Sequence, residues 1–282
     1  MNILSNTTED YKRWKDKKLG SFTDNIDELT VQIVNPNNIS KPEKSRVISL
    51  LSQNNLVFFK IDDTKYKDKS SIKNLALQVG LGDYEFDSKS DLDGLTEISE
   101  HNNDPGISEY IPYTNKELNW HTDGYYNDDR NSINAWLLFC RAQAEDGGLN
   151  KFLDHEIAYI LFNQKSSRLS DLMLNNTYNI PKNLITNRPE ISNPVFKFNN
   201  QKLHMKFSMR KKNIIWNSSS IEASNILKTI IKDSSKYHVV KRLSEGEGVI
   251  TNNVIHMRTA FTNSKNKNRL LYRLRSKKRV CD

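Results

Sequence analysis

Cysteine is nearly absent: 282 residues contain two, Cys140 and Cys281. Two thiols cannot form the disulfide framework of a small secreted fold, and such sparse use fits a reducing compartment. The first six residues, Met1 to Asn6, lack the apolar core of a secretory leader. No apolar stretch is long enough to span a bilayer. There is no internal repeat, no linker-like segment, and no zinc-finger, RRM or helix-turn-helix signature. These absences lead to the expectation of one cytoplasmic domain covering residues 1–282 with no transmembrane segment. Hydrophobic content of 36% and charged content of 27% describe a polar chain that still has enough apolar residues and length for a sizeable core.

The net charge is +8 and the pI about 9.2. Such a balance suits nucleic acid, an anionic membrane surface or acidic small molecules. The basic residues are scattered, however, with short runs only at 15–18, 210–212 and 277–279. A solvated lysine-rich surface accounts for most of that charge, and nucleic acid is the least favoured partner.

Periodicity places strands at residues 31–34, 56–61, 95–98, 133–142, 151–154, 238–240, 249–258 and 270–274. Helices are expected at 44–53, 70–80, 155–164 and 221–233, where apolar residues recur at helical spacing. Residues 195–198 and 203–207 form a hairpin pattern around Asn199 and Asn200. Residues 1–40 are polar, and 165–220 have little clear period and read as a lid-like insertion. Many short strands in two groups around that insertion predict a mainly β chain with peripheral helices, arranged as a jelly roll.

The stretch Leu118-Asn119-Trp120-His121-Thr122-Asp123-Gly124-Tyr125-Tyr126 carries the chemistry. On an extended strand, His121 and Asp123 point to one face. An imidazole beside a carboxylate supplies two thirds of a 2-His-1-carboxylate facial site, the arrangement of non-haem Fe(II) oxygenases. A third ligand must come from elsewhere. His101 lies in a polar loop, and His204 and His238 have no partner spacing. Asp154, His155 and Glu156 open a helix, where acids favour the positive end of the dipole. His256 lies in the alternating run Asn252 to Phe261, on one face with Asn252, Val254 and Arg258. Arg269 and Arg273 follow it by 13 and 17 residues. Arginine holds carboxylates bidentately and keeps its charge when partly buried, so the pair suggests bound anions.

Taken together, His121-Thr122-Asp123, Gly147-Gly148, Gly246-Glu247-Gly248, Asn253 to Phe261 and Arg269 resemble the taurine dioxygenase and clavaminate synthase superfamily of Fe(II)/2-oxoglutarate-dependent oxygenases. The resemblance spans roughly residues 50–276. It implies a double-stranded β-helix, iron on His121, Asp123 and His256, and 2-oxoglutarate held through its distal carboxylate by Arg269. Arg273 would assist there or hold an anionic substrate group, with Arg258 and Tyr125 as further substrate-binding candidates. Where the family often has threonine after its Gly-Gly pair, this chain has Asn150, whose amide can also donate to the co-substrate. Where the family often has glycine after the second histidine, it has Met257. The carboxylate at Asp123 argues against halogenation, since related halogenases carry Gly or Ala there. The implied reaction is hydroxylation of an unactivated C–H of a small anionic substrate, such as an amino acid, carboxylate, sulfonate or acidic sugar, with release of succinate and CO2. Dioxygen is the other partner, and self-association is left open. The alternative of another class is a non-catalytic 2-oxoglutarate or ligand-binding protein on the same fold.

Overall fold

The apolar run that begins after Asn55 becomes the second strand of a six-stranded sheet. In the computed structural model, which describes residues 8–85, 94–100, 111–184, 188–210 and 212–280, ten strands form two main sheets. They are β1 (Thr30–Gln32), β2 (Leu56–Lys60), β3 (Leu95–Ser99), β4 (Leu118–His121), β5 (Ala135–Ala142), β6 (Asn150–Leu153), β7 (Val239–Lys241), β8 (Glu247–Thr251), β9 (Ile255–Arg258) and β10 (Leu270–Ser276). The larger sheet runs β1-β2-β8-β5-β10-β3 and the smaller β7-β6-β9-β4. All neighbours are antiparallel except β1 and β2.

Side chains from the two sheets meet between them. Phe58 and Trp136 of the larger sheet approach Phe152 of the smaller, with ring centres 5.7 and 6.4 Å apart. Trp136 also lies 4.7 Å from the His256 ring. The main apolar core therefore ends at the histidine that β9 carries. The chain is mostly sheet with helices outside it. The readings for His101, Cys281, Lys211 and the first six residues lie outside the described residues.

Five α-helices surround the sheets: α1 (Glu9–Gly20), α2 (Lys41–Asn54), α3 (Lys69–Gln78), α4 (His155–Lys165) and α5 (Ile221–Asp233). Helix α2 begins with a capping box in which Ser40 and Glu43 bond each other's backbone N–H groups, satisfying donors the first turn leaves open. Helix α3 starts one residue earlier than its periodicity predicts, because Asp68 caps it. Helix α1 falls in the segment read only as polar. Its buried residues are Tyr11 and Lys18, so it shows almost no apolar stripe. Lys18 Nζ bridges Asp154 and Glu156 at 2.6 and 2.8 Å. The acids that open α4 are thus a buried ion-pair cluster as well as a favourable dipole end.

The expected strand over 249–258 divides. Residues up to Thr251 belong to the larger sheet and those from Ile255 to the smaller. The corner contains Asn253 in the left-handed region, φ 55°, which breaks the alternation and moves the chain from one sheet to the other. The described residues of 165–220 include two small sheets. Tyr178–Ile180, Ile191–Asn193 and Ile215–Trp216 make a three-stranded sheet, and Phe196–Asn199 pairs with Lys202–Met205 as a hairpin. Its turn sits one residue later than predicted, on Asn200 and Gln201, both with positive φ, as a type I′ turn requires.

Candidate active site

His121 ends β4, and Asp123 follows in the turn rather than on the strand. Gly124 has φ 65°, and a Cβ there would lie 2.6 Å from Ile133 Cγ1, so glycine lets the chain turn away once Asp123 is placed. Thr122 fastens the segment from behind. Its N–H donates to the Phe207 carbonyl at 2.9 Å, and its hydroxyl accepts from Phe207 N–H at 3.0 Å. Part of the 165–220 insertion is therefore bonded directly to the backbone that carries His121 and Asp123.

Asn253 holds the other side of the turn. Its side-chain oxygen accepts the Asp123 N–H at 2.8 Å, while its NH2 donates to the carbonyls of Asp123 and Ile133 at 3.0 and 2.7 Å. The residue that redirects the chain between sheets also fixes the carboxylate-bearing turn. Its left-handed backbone is favoured for asparagine, and nothing local in the sequence indicates the long-range contact.

The register pairs His256 directly with His121, and their ring centres are 4.2 Å apart. Each Nε2 lies 3.6 Å from Asp123 Oδ1. The candidate donor atoms of the three residues all fall within 4.8 Å of one another, the one such group among the described residues. Each Nδ1 faces a backbone carbonyl, His121 that of Asn119 at 2.8 Å and His256 that of Val254 at 3.0 Å. A carbonyl only accepts, so each Nδ1 carries the hydrogen and each Nε2 presents a lone pair to the shared space. Asp123 Oδ2 is buried and accepts no hydrogen bond from any described residue; Arg273 Nη1 is 3.8 Å away. Two aimed imidazole lone pairs and an orphaned carboxylate oxygen suit a divalent ion better than any protein donor.

The charges agree with that use. Burial alone would raise the Asp123 carboxyl, but His121, Arg273 and His256 outweigh it and hold the group well below the usual carboxylate range. Burial, reinforced by the neighbouring His121, lowers His256 to about 3. An ionised carboxylate and a neutral imidazole are the forms that ligate metal.

A cavity of about 410 Å³ opens over His121 and Asp123. Tyr125, Tyr126, Arg188, Arg210, Arg273 and Arg275 are among its lining residues, and Asp123 is the sole acid among them. Trp120 is elsewhere, packed in the second core cluster beside His238. Arg258 is also elsewhere. Its guanidinium donates to the carbonyls of Thr114 and Lys116 and lies 4.8 Å from the centre of the Phe261 ring. The bulge between His256 and Arg258 separates the face that simple alternation gives them in common.

Arg269 faces a different space. It is 7% exposed and lines a small cavity with Asn150, Gly148 and Cys140. Phe261 covers its guanidinium at 4.9 Å, and no acidic side chain of the described residues pairs with it. Burial, then the like charge of Arg258, depresses it to about 9. A desolvated cation of this kind calls for an anionic ligand. The Asn150 amide donates to the carbonyls of Gly148 and Lys241 at 3.4 and 3.3 Å, so its N–H groups are already engaged. Arg275 and the basic segment at Arg210 also point from the sequence to an anionic compound, and both residues line the cavity; Arg188 is a lining residue without a local motif, brought there by the insertion.

The family model for the taurine catabolism dioxygenase TauD, TfdA family matches residues 15–275. The chain belongs to the TauD/TfdA family. No curated protein sequence matches it. Among solved structures, asparagine oxygenase in complex with Fe(II), 2S,3S-3-hydroxyasparagine and succinate is similar at TM-score 0.61 and 14% identity, covering 88% of this chain and 93% of that one. The non-heme iron oxygenase OrfP with Fe, succinate and (3S)-hydroxy-L-Arg gives 0.62 and 13%, covering 84% and 81%. PvcB from Pseudomonas aeruginosa gives 0.60 and 15%, covering 88% and 86%. The TauD/TfdA protein is an Fe(II)- and 2-oxoglutarate-dependent dioxygenase. Among the described residues, no helix is long and apolar enough to cross a membrane.

Proposed function

We propose that this dioxygenase hydroxylates an unactivated C–H of a small anionic substrate and releases succinate and CO2 from 2-oxoglutarate. The observation that carries this reading is the cavity over His121 and Asp123, with four arginines in its lining and no described acid besides the ligand itself. In two of the similar structures the bound organic molecules are a hydroxylated amino acid and succinate, which makes amino acids the first substrates to test. We further read the two sheets as a double-stranded β-helix forming one oxygenase domain, with Ile180, Asn183, Arg188, Ser208, Arg210 and Asn213 of the insertion as the cavity's outer wall.

His121, Asp123 and His256 would hold the iron, and Arg269 the distal carboxylate of 2-oxoglutarate. Bound there, the two cofactors supply dioxygen activation coupled to oxidative decarboxylation. The chain's own part is orientation and exclusion of water. The carbonyls of Asn119 and Val254 keep both imidazoles in the ligating tautomer. Asn253 holds the Asp123 turn, and Arg273, 3.8 Å from Asp123 Oδ2, helps keep the carboxylate ionised. Tyr125 lies at 8% exposure with its carbonyl bonded by the Tyr178 hydroxyl at 2.7 Å, a rigid floor for a substrate. Asn150 shapes the space beside Arg269 more than it donates.

The test is succinate release by the iron-loaded enzyme with 2-oxoglutarate and amino acids, carboxylates, sulfonates and acidic sugars in turn. Substrate-stimulated succinate with a product heavier by one oxygen is the expected outcome. No stimulation by any anionic compound, with the cofactors bound, would favour the ligand-binding alternative.

A further inference from the structure

The cavity's arginines are not equivalent. Arg273 and Arg275 alternate on β10 and share one face. Arg273 lies against Asp123 at 3.8 Å. Arg275 Nη2 pairs with Glu85 Oε2 at 2.5 Å, and its Nη1 donates to the Tyr126 hydroxyl at 3.0 Å; its charge is already matched. The opposite side of this array comes from the insertion. Arg188 Cζ lies 5.7 Å from the centre of the Tyr126 ring, within the range of a cation–π contact. Contacts therefore run from Arg275 through Tyr126 to Arg188, beginning on the strand face that Arg273 shares.

Arg188 is held in place without using its charge. Its backbone N–H and C=O both bond Asn183, at 2.9 and 2.8 Å, so the hairpin stem is set by main chain. One Nη2 hydrogen goes to the Pro181 carbonyl at 2.9 Å. The Nε–H is buried and finds no acceptor, and no carboxylate of the described residues pairs with the guanidinium. A partly desolvated, pre-oriented guanidinium with an unused donor at a cavity wall is built to take a planar anion.

We infer that Arg188 is a specificity-determining residue for a second anionic group of the substrate. The substrate class is then one with two anionic groups: one toward Arg273, and a distal carboxylate toward Arg188, with the oxidised carbon between them. This deepens the proposed function and rests on it. Tyr126 acts as the spacer that fixes the guanidinium plane.

The probes are matched acid and amide pairs: L-glutamate with L-glutamine, L-aspartate with L-asparagine, and glutarate with its monoamide. Each is titrated into enzyme loaded with Fe(II) and saturating 2-oxoglutarate without oxygen, so that the co-substrate position is filled. The visible band of the loaded site and calorimetric affinity are read together. The acid should bind about tenfold or more tightly than its amide in at least one pair. Arg188→Gln should erase that preference while leaving 2-oxoglutarate affinity unchanged, and Arg188→Lys should keep part of it. Equal affinity within every pair, no binding by any pair, or an intact preference in Arg188→Gln overturns the inference. If the loaded band forms in these cases, the site reading stands and only the role of Arg188 falls. If the band never forms, both fall.

Discussion

Replacing Asn253 with alanine should cost more than any surface change and should reach the iron site without touching a ligand. The substitution removes one acceptor and two donated hydrogen bonds, all to buried backbone: Asp123 N–H, Asp123 C=O and Ile133 C=O. Each buried polar group left unsatisfied costs about 1–3 kcal/mol. Alanine at φ 55° adds about 1 kcal/mol of left-handed strain. Allowing for water entering the gap, the loss is about 3–5 kcal/mol, a large share of the stability of about 5–15 kcal/mol typical of a folded protein. Asn253→Gly removes the strain and keeps the orphaned groups, so it should recover about 1 kcal/mol of that loss. Asn253→Asp keeps the acceptor but sets a carboxylate against two carbonyls, and should be no better than alanine. Urea unfolding of the metal-free proteins measures the loss, and Fe(II) affinity of the folded fraction measures the effect on Asp123. An alanine variant within about 0.5 kcal/mol of the parent, binding iron as well as the parent does, would refute the reasoning.

Lys18→Met should destabilise by about 3–5 kcal/mol, because it leaves Asp154 and Glu156 buried without their bridging cation; a loss under about 1 kcal/mol would show that Arg279, 3.7 Å from Glu156, and Asn55, whose amide donates to Asp154 at 3.1 Å, suffice. Burial and the nearby Arg279 charge lower His155 to about 3. The unfolded imidazole takes a proton below its ordinary 6.5 while the folded one stays neutral, so this group's stability contribution is full above that value and declines as pH falls toward 3. Its slope approaches about 1.4 kcal/mol per pH unit. Urea midpoints at pH 7 and pH 4.5 should differ less in His155→Gln than in the parent, and equal differences would count against this origin. Anaerobic Fe(II) at a hundred times its dissociation constant should stabilise the parent by about 2.7 kcal/mol, read as a rise in thermal midpoint, and Asp123→Ala should show none; an equal rise in both would place the iron elsewhere.

What could be read from the residues was local. The helix over 221–233 was legible to the residue because Ile226, Leu227, Ile230 and Ile231 repeat at helical spacing around a buried face. The His-x-Asp pair stood out because two candidate ligands lie within three residues. Its partner His256 was legible from order and spacing, yet the exact cross-strand pairing with His121 is a property of the sheet. The rest depended on long-range contacts. Helix α1 was missed because the residue it buries most tellingly is a lysine, whose acidic partners lie more than a hundred residues away. The strand over 249–258 was read as continuous because alternation resumes after Asn253 in a different sheet. Arg258 was assigned to the substrate because a bulge is invisible to a period-two pattern. Arg188 carried no signal of its own, since only the folded insertion brings it onto Tyr126.

The central claim is that His121, Asp123 and His256 form one iron site served by a 2-oxoglutarate position at Arg269. Its most direct test is anaerobic addition of Fe(II) and 2-oxoglutarate to the metal-free protein while the visible charge-transfer band is recorded. The account expects a band that needs both additions, disappears in His256→Ala and requires far more 2-oxoglutarate in Arg269→Ala. A folded, initially metal-free protein that gives no band, or a band that survives His256→Ala unchanged, would contradict it.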